Sequence, residues 1–89
     1  MAARRTVKIN NKFGLHARPA VLFCDTASKF DADVHVIVAS RKADGKSIMD
    51  LMTLAATPGT EVEIEAEGAD EQEAVAALEA LVRENFQED

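Results

Sequence analysis

The chain's chemistry is concentrated in Gly14-Leu15-His16-Ala17-Arg18-Pro19-Ala20. Just downstream, Ala20, Phe23, Ala27 and Phe30 recur three and four positions apart, which predicts a helix from Ala17 to about Ser28. Pro19 lies just inside that helix, where its missing N–H costs nothing because first-turn N–H groups have no intrahelical acceptor. His16 therefore falls at or next to the N-cap, with the N–H groups of Ala17 and Arg18 free to face whatever the imidazole carries. An exposed helix N-terminus favours an anion by about 0.3–1 kcal/mol, and a guanidinium such as that of Arg18 suits phosphate oxygens. This set predicts a histidine that accepts a phosphoryl group, with donors already placed for its oxygens. The plainer alternative is a surface histidine that happens to cap a helix.

A second set of residues lies at Ser47 to Thr53, read as a short helix with Ser47 as N-cap and Asp50 three residues on, a variant of the capping box. Ile48, Met49, Leu51 and Met52 crowd four large apolar side chains into five positions, more than so short a helix can turn to a core. Some are expected at the surface, where flexible Met suits a face that meets several partners. Asp44-Gly45-Lys46-Ser47 ends like a phosphate-binding loop, but Ser40 stands where the earlier glycine is required, which argues against nucleotide binding. Cys24 is too far from His16 for a nucleophile–base pair and is expected in the core; His35 is expected to be exposed and inert.

The remaining elements must hold these two sets. Thr6 to Asn10 alternates with Val7 and Ile9 on one side; Asp33 to Ser40 alternates with Val34, Val36 and Val38 on one side; Arg41 to Asp44 reads as a short return strand, although no Asn-Gly pair marks a tight hairpin. Thr57-Pro58-Gly59-Thr60 is a turn. Glu61 to Glu67 is the clearest strand, with Val62, Ile64 and Ala66 on one face and four glutamates on the other. Those carboxylates read as a solvated face paired with Lys8 across the sheet, because no His or Cys stands beside them at ligand spacing. Asp70 is expected to cap a last helix, Glu71 to Phe86, whose Val75, Leu78, Leu81, Val82 and Phe86 form one stripe. The order β-α-β-β-α-β-α, with one apolar face per strand, predicts an α+β open-faced two-layer sandwich. Pattern alone leaves the strand order open.

Length and composition narrow the function classes. Eighty-nine residues make one domain, 1–89, with 47% apolar and 29% charged residues, ordinary for a soluble globular chain. No apolar run reaches the ~20 residues of a membrane span, and the start lacks a signal peptide's apolar centre. One cysteine excludes an intrachain disulfide and fits a reducing, cytoplasmic setting. The net charge of −6 is uneven: residues 1–47 hold nine Lys/Arg against four Asp/Glu, residues 48–89 one against twelve. Overall acidity and the absence of Trp and Tyr count against nucleic acid as a partner. The basic first half suits an acidic protein.

The whole chain resembles the HPr family, the small histidine phosphocarriers of the bacterial sugar phosphotransferase system. The likeness is strongest at Gly-Leu-His-Ala-Arg-Pro-Ala (14–20) and Lys-Ser-Ile-Met-Asp-Leu-Met-Thr-Leu (46–54), and the element order agrees over about 85 residues. It implies four antiparallel strands under three helices, and a carrier rather than a self-standing enzyme. It further implies that His16 takes a phosphoryl group on Nδ1 from phosphorylated enzyme I and passes it to enzyme II A components. In that scheme Arg18 stabilises the phosphate and Ala17 supplies a backbone N–H. Ser47 matches the family's regulatory serine, the target of HPr kinase/phosphorylase, and Ile48 and Met49, with Met52 on the same helix, the partner-facing residues, Leu51 pointing inward. No cofactor or metal is implied, and a monomer is expected. Phe13 is bulkier than the small or polar residue of many relatives, and Asp25 stands where some carry Lys, which should weaken docking to acidic partners. The alternative is a regulatory binding module, in the nitrogen-linked branch or controlled through Ser47, that acts by docking rather than relay.

Overall fold

The computed structural model describes residues 2–88. Its elements run β1 (Ala3–Lys8), α1 (Ala17–Ala27), β2 (Asp33–Val38), β3 (Arg41–Asp44), α2 (Ile48–Thr53), β4 (Glu61–Glu67) and α3 (Glu71–Arg83). The four strands form one antiparallel sheet in the order β1-β4-β2-β3. β4, last in sequence, is thus inserted between the first two strands. Val62, Ile64 and Ala66 of β4, Val34 and Val36 of β2 and Val7 of β1 are buried on one face, beneath the buried stripes of the helices. Burying a side chain such as Ile64 or Leu78 completely contributes about 1.5–3 kcal/mol. This is the open-faced sandwich the alternation predicts. Among the described residues no helix is long and apolar enough to cross a membrane.

The wet face is organised by charge. Glu65 accepts from Arg4 Nη2 at 2.8 Å and from Lys42 Nζ at 3.3 Å, on strands β1 and β3. Burial would push its carboxyl up, but the hydrogen bonds from Lys42 and Arg4 outweigh this and hold it below the usual range. Lys8 does stand opposite Glu61 in the register. The ion pairs, however, converge on Glu65 rather than forming at Lys8.

Several boundaries and roles differ from the sequence expectation. β1 begins at Ala3, earlier than Thr6, because its ladder with β4 starts with Ala3 opposite Ala66; Arg5, on the inner side, reaches out to Glu79 of α3 at 3.4 Å. This keeps its charge at the edge of the core. A two-residue turn joins β2 to β3 without an Asn-Gly pair; Ala39 takes a φ of 55° instead. α3 stops at Arg83, not Phe86. Asn85, Phe86 and Gln87 then all adopt left-handed φ, at 55°, 55° and 63°, and this turn buries Phe86 against the core. Left-handed backbone costs a non-glycine residue roughly 1–2 kcal/mol, so burial of the ring must offset it.

Asp70 occupies the N-cap position of α3 but makes no side-chain cap. Its carboxylate instead accepts the N–H groups of Asp31 and Ala32, both at 2.9 Å. The Asp31 N–H, helped by that of Ala32 and by Lys46 and opposed by burial, holds its carboxyl below the usual range. Likewise, only half of the capping box forms at α2. Ser47 Oγ accepts the Asp50 N–H at 3.1 Å, while the Asp50 carboxylate reaches the Asp44 N–H rather than returning to Ser47. Cys24 is half-buried, its thiol donating to the Lys46 carbonyl at 3.2 Å, so it lies at the margin of the core. His35 too is half-buried, on the outer sheet face.

Candidate functional site at the start of α1

His16 is the N-cap of α1, in extended conformation, and its carbonyl starts the helix by accepting the Ala20 N–H at 3.0 Å. The turn before it is set by Gly14, whose φ is +70°. A Cβ there would collide with the Ala56 carbonyl oxygen, so only glycine fits. Leu15, buried, donates its N–H to that same carbonyl at 2.8 Å. The loop carrying the histidine is thereby fastened to the chain that leaves α2.

The ring is held from two sides. Phe13, 67% exposed, meets it edge-on with centroids 5.8 Å apart. Glu88 approaches through its Oε2, 3.0 Å from His16 Nε2. The other carboxylate oxygen, Oε1, accepts from Asn11 Nδ2 at 2.9 Å, and that amide also donates to the Gly14 carbonyl at 2.7 Å. Nδ1 has no hydrogen-bond partner among the described residues. The His16 side chain remains 36% exposed.

Around this ring are donors without acceptors. Among the described residues, the N–H groups of Ala17 and Arg18 bond to nothing, and His16 makes no side-chain cap that would occupy them. The Arg18 guanidinium is exposed and makes no ion pair among the same residues. Beside the ring lies a shallow cavity of about 270 Å³ lined by Lys12, Phe13, Arg18, Gln87 and Glu88. Two cations and two open amides at the same helix mouth as a partly exposed imidazole can stabilise an oxyanion on a phosphoryl group bound there. Among the described residues no group of His, Cys, Asp and Glu is placed to hold a metal ion.

α2 borders this region. Leu51 is fully buried, whereas Ile48, Met52 and especially Met49, at 79%, are exposed. The division within the short helix is therefore the expected one. Ser47 is half-buried at its head. Sequence reading missed Asn11 and Glu88, which meet the site across 3 and 72 residues of chain respectively, and Lys12, which carried no motif.

This sheet topology, with a histidine at the mouth of its first helix, is shared with known phosphocarrier proteins. The family model described as "PTS HPr component phosphorylation site" matches residues 3–84. Phosphocarrier protein HPr of Neisseria meningitidis serogroup A is 47% identical over 85 residues, covering 96% of each chain. HPr-like protein Crh of Bacillus subtilis is 47% identical over 81 residues, 91% of this chain and 95% of its own. A crystal structure of HPr from Thermoanaerobacter tengcongensis superposes with a TM-score of 0.94 at 46% identity, covering 98% of both chains. The chain belongs to the HPr family of phosphotransferase-system phosphocarriers.

Proposed function

We propose that this chain is a cytoplasmic, monomeric relay that takes a phosphoryl group from phosphorylated enzyme I on His16 Nδ1 and hands it to enzyme II A components. The observation that carries this reading is the coincidence, at one helix mouth, of a 36% exposed imidazole and, among the described residues, an Nδ1 without a partner and unbonded N–H groups on Ala17 and Arg18. In transfer, the Nδ1 lone pair forms the N–P bond as the donor's bond to phosphorus breaks. The Ala17 and Arg18 amides and the Arg18 guanidinium take up charge on the phosphoryl oxygens. Such a step asks mainly for positioning and charge stabilisation. The donors are solvent-facing and few, so the group is held loosely enough to leave. Ile48, Met49 and Met52 form the apolar docking face beside the site. Incubation with enzyme I and phosphoenolpyruvate should give one acid-labile label on the wild-type chain and none on His16→Ala. Label that survives in His16→Ala would overturn the assignment.

A second role rests on Ser47. It heads α2, and the likeness to Crh of Bacillus subtilis, described as its catabolite repression HPr, favours a regulatory use of the same face. Phosphorylation there by HPr kinase/phosphorylase would add about −1.5 to −2 charges next to Ile48 and Met49. An acidic partner would be repelled. Ser47→Asp should weaken enzyme I binding in titration calorimetry; unchanged affinity would leave Ser47 only its cap, worth about 1 kcal/mol.

A further inference from the structure

The C-terminal end of the described chain is built to deliver one carboxylate to one ring nitrogen. Three successive left-handed residues, Asn85 to Gln87, turn the chain back after α3. Phe86 anchors the turn by burial. Glu88 then places Oε2 3.0 Å from His16 Nε2, while Oε1 is held by Asn11 Nδ2 at 2.9 Å. Asn11 is itself 2% exposed and ties Glu88 to the Gly14 carbonyl, the residue that shapes the histidine loop. Strained backbone persists only where its surroundings enforce it, and here its product is a carboxylate–imidazole pair.

A carboxylate is acceptor-only, so the neutral ring facing it must carry its proton on Nε2. The hydrogen bond made by one ring nitrogen decides the state of the other. From this geometry, and resting on the relay reading above, we infer that Glu88 is a positioning residue: it holds His16 as the Nε2–H tautomer and so directs the phosphoryl group to Nδ1. When Nδ1 attacks phosphorus, the donor keeps the electron pair of the broken bond. The Nε2 proton stays on the ring, which becomes cationic, and the Glu88 carboxylate faces that new charge. Onward transfer reverses each step. The arrangement parallels the way an aspartate orients the histidine of a hydrolytic triad without taking its proton.

The test uses the full chain and the variants Glu88→Ala and Glu88→Gln, with Glu84→Ala as a control that removes the same charge from an exposed position without a contact to His16. Long-range 1H–15N spectra, recorded where the ring is neutral, report which nitrogen is protonated, with His35 as internal reference. The wild type and Glu88→Gln, whose amide oxygen still accepts, should show a single Nε2–H tautomer at His16. In Glu88→Ala the two nitrogen shifts should move toward each other as the tautomers mix, while those of His35 stay fixed. The maximal rate of phosphoryl uptake from enzyme I should fall about tenfold in Glu88→Ala, with the half-saturating concentration unchanged and Glu84→Ala matching the wild type. Glu88→Gln should recover most of the rate. Unchanged nitrogen shifts in Glu88→Ala, or shifted ones with an unchanged rate, overturn the inference. A wild-type chain that takes up no phosphoryl group overturns the relay reading instead, and the tautomer spectra still decide whether Glu88 sets the ring.

Discussion

The outer face of β4 and the mouth of α1 are the two polar centres of this molecule, and they are built on opposite principles. The strand face carries four carboxylates, and one of them, Glu65, is answered on both sides by Arg4 and Lys42. The helix mouth sets the Glu88 carboxylate beside Lys12 and Arg18, and its Ala17 and Arg18 amides have no acceptor among the described residues. Density of charge is therefore a poor guide to chemistry. Unused hydrogen-bonding capacity beside an accessible nucleophile is a better one, since a preorganised donor acts only if nothing already occupies it.

Substitutions can break that contrast from either side. The largest effect is expected at the backbone of the helix mouth. Gly14→Ala must strain a left-handed position and push against the Ala56 carbonyl, so it should cost roughly 2–4 kcal/mol in urea denaturation. Phosphoryl uptake should fall with it. Arg18→Ala sharpens the contrast, because the side chain is exposed and supports no packing. Uptake should slow by about a hundredfold, the lower end of the loss on removing one charge-stabilising donor, while the melting temperature stays near that of the wild type. A sharp fall in melting temperature would make Arg18 a structural residue.

The smallest effect belongs to the strand. Glu65→Gln should leave phosphoryl uptake unchanged and cost no more than about 1 kcal/mol, because such a pair is partly screened by solvent. Its carboxyl is held below the unfolded-state value. The contribution is therefore present above about pH 4 and lost as pH falls through the depressed value. Urea titrations of the two proteins should differ at neutral pH and converge in acid. A constant difference would mean that Glu65 acts through packing.

Most of the helix mouth could be read from sequence because its determinants are local. Pro19 three residues after His16, and the periodic Ala20, Phe23 and Ala27, suffice to place an N-cap and its free amides. Alternation likewise reveals which face of β4 is buried. Strand order is not local, and nothing in β4 itself says that it enters between β1 and β2. The C-terminal error has a different cause. Phe86 falls in register with the stripe of α3, so the pattern extends the helix to it, but the chain breaks at Glu84 and buries the same ring by a left-handed turn. Periodicity locates the apolar position but not the backbone that reaches it. Glu88 followed that turn out of view, since its contacts to His16 and Asn11 span 72 and 77 residues. Ser47 is legible as a cap, whereas the turning of Asp50 to the amide of Asp44 at the end of β3, and of Asp70 to those of Asp31 and Ala32, depends on tertiary placement.

In the loaded protein, phosphorus must be bonded to one particular ring nitrogen if His16 is the relay. 31P–15N coupling in the uniformly labelled chain, after reaction with enzyme I and phosphoenolpyruvate, reads this atom directly. A single N–P bond at His16 Nδ1, with Nε2 still protonated, is the result expected. Phosphorus on Nε2, or on any residue other than His16, would contradict it.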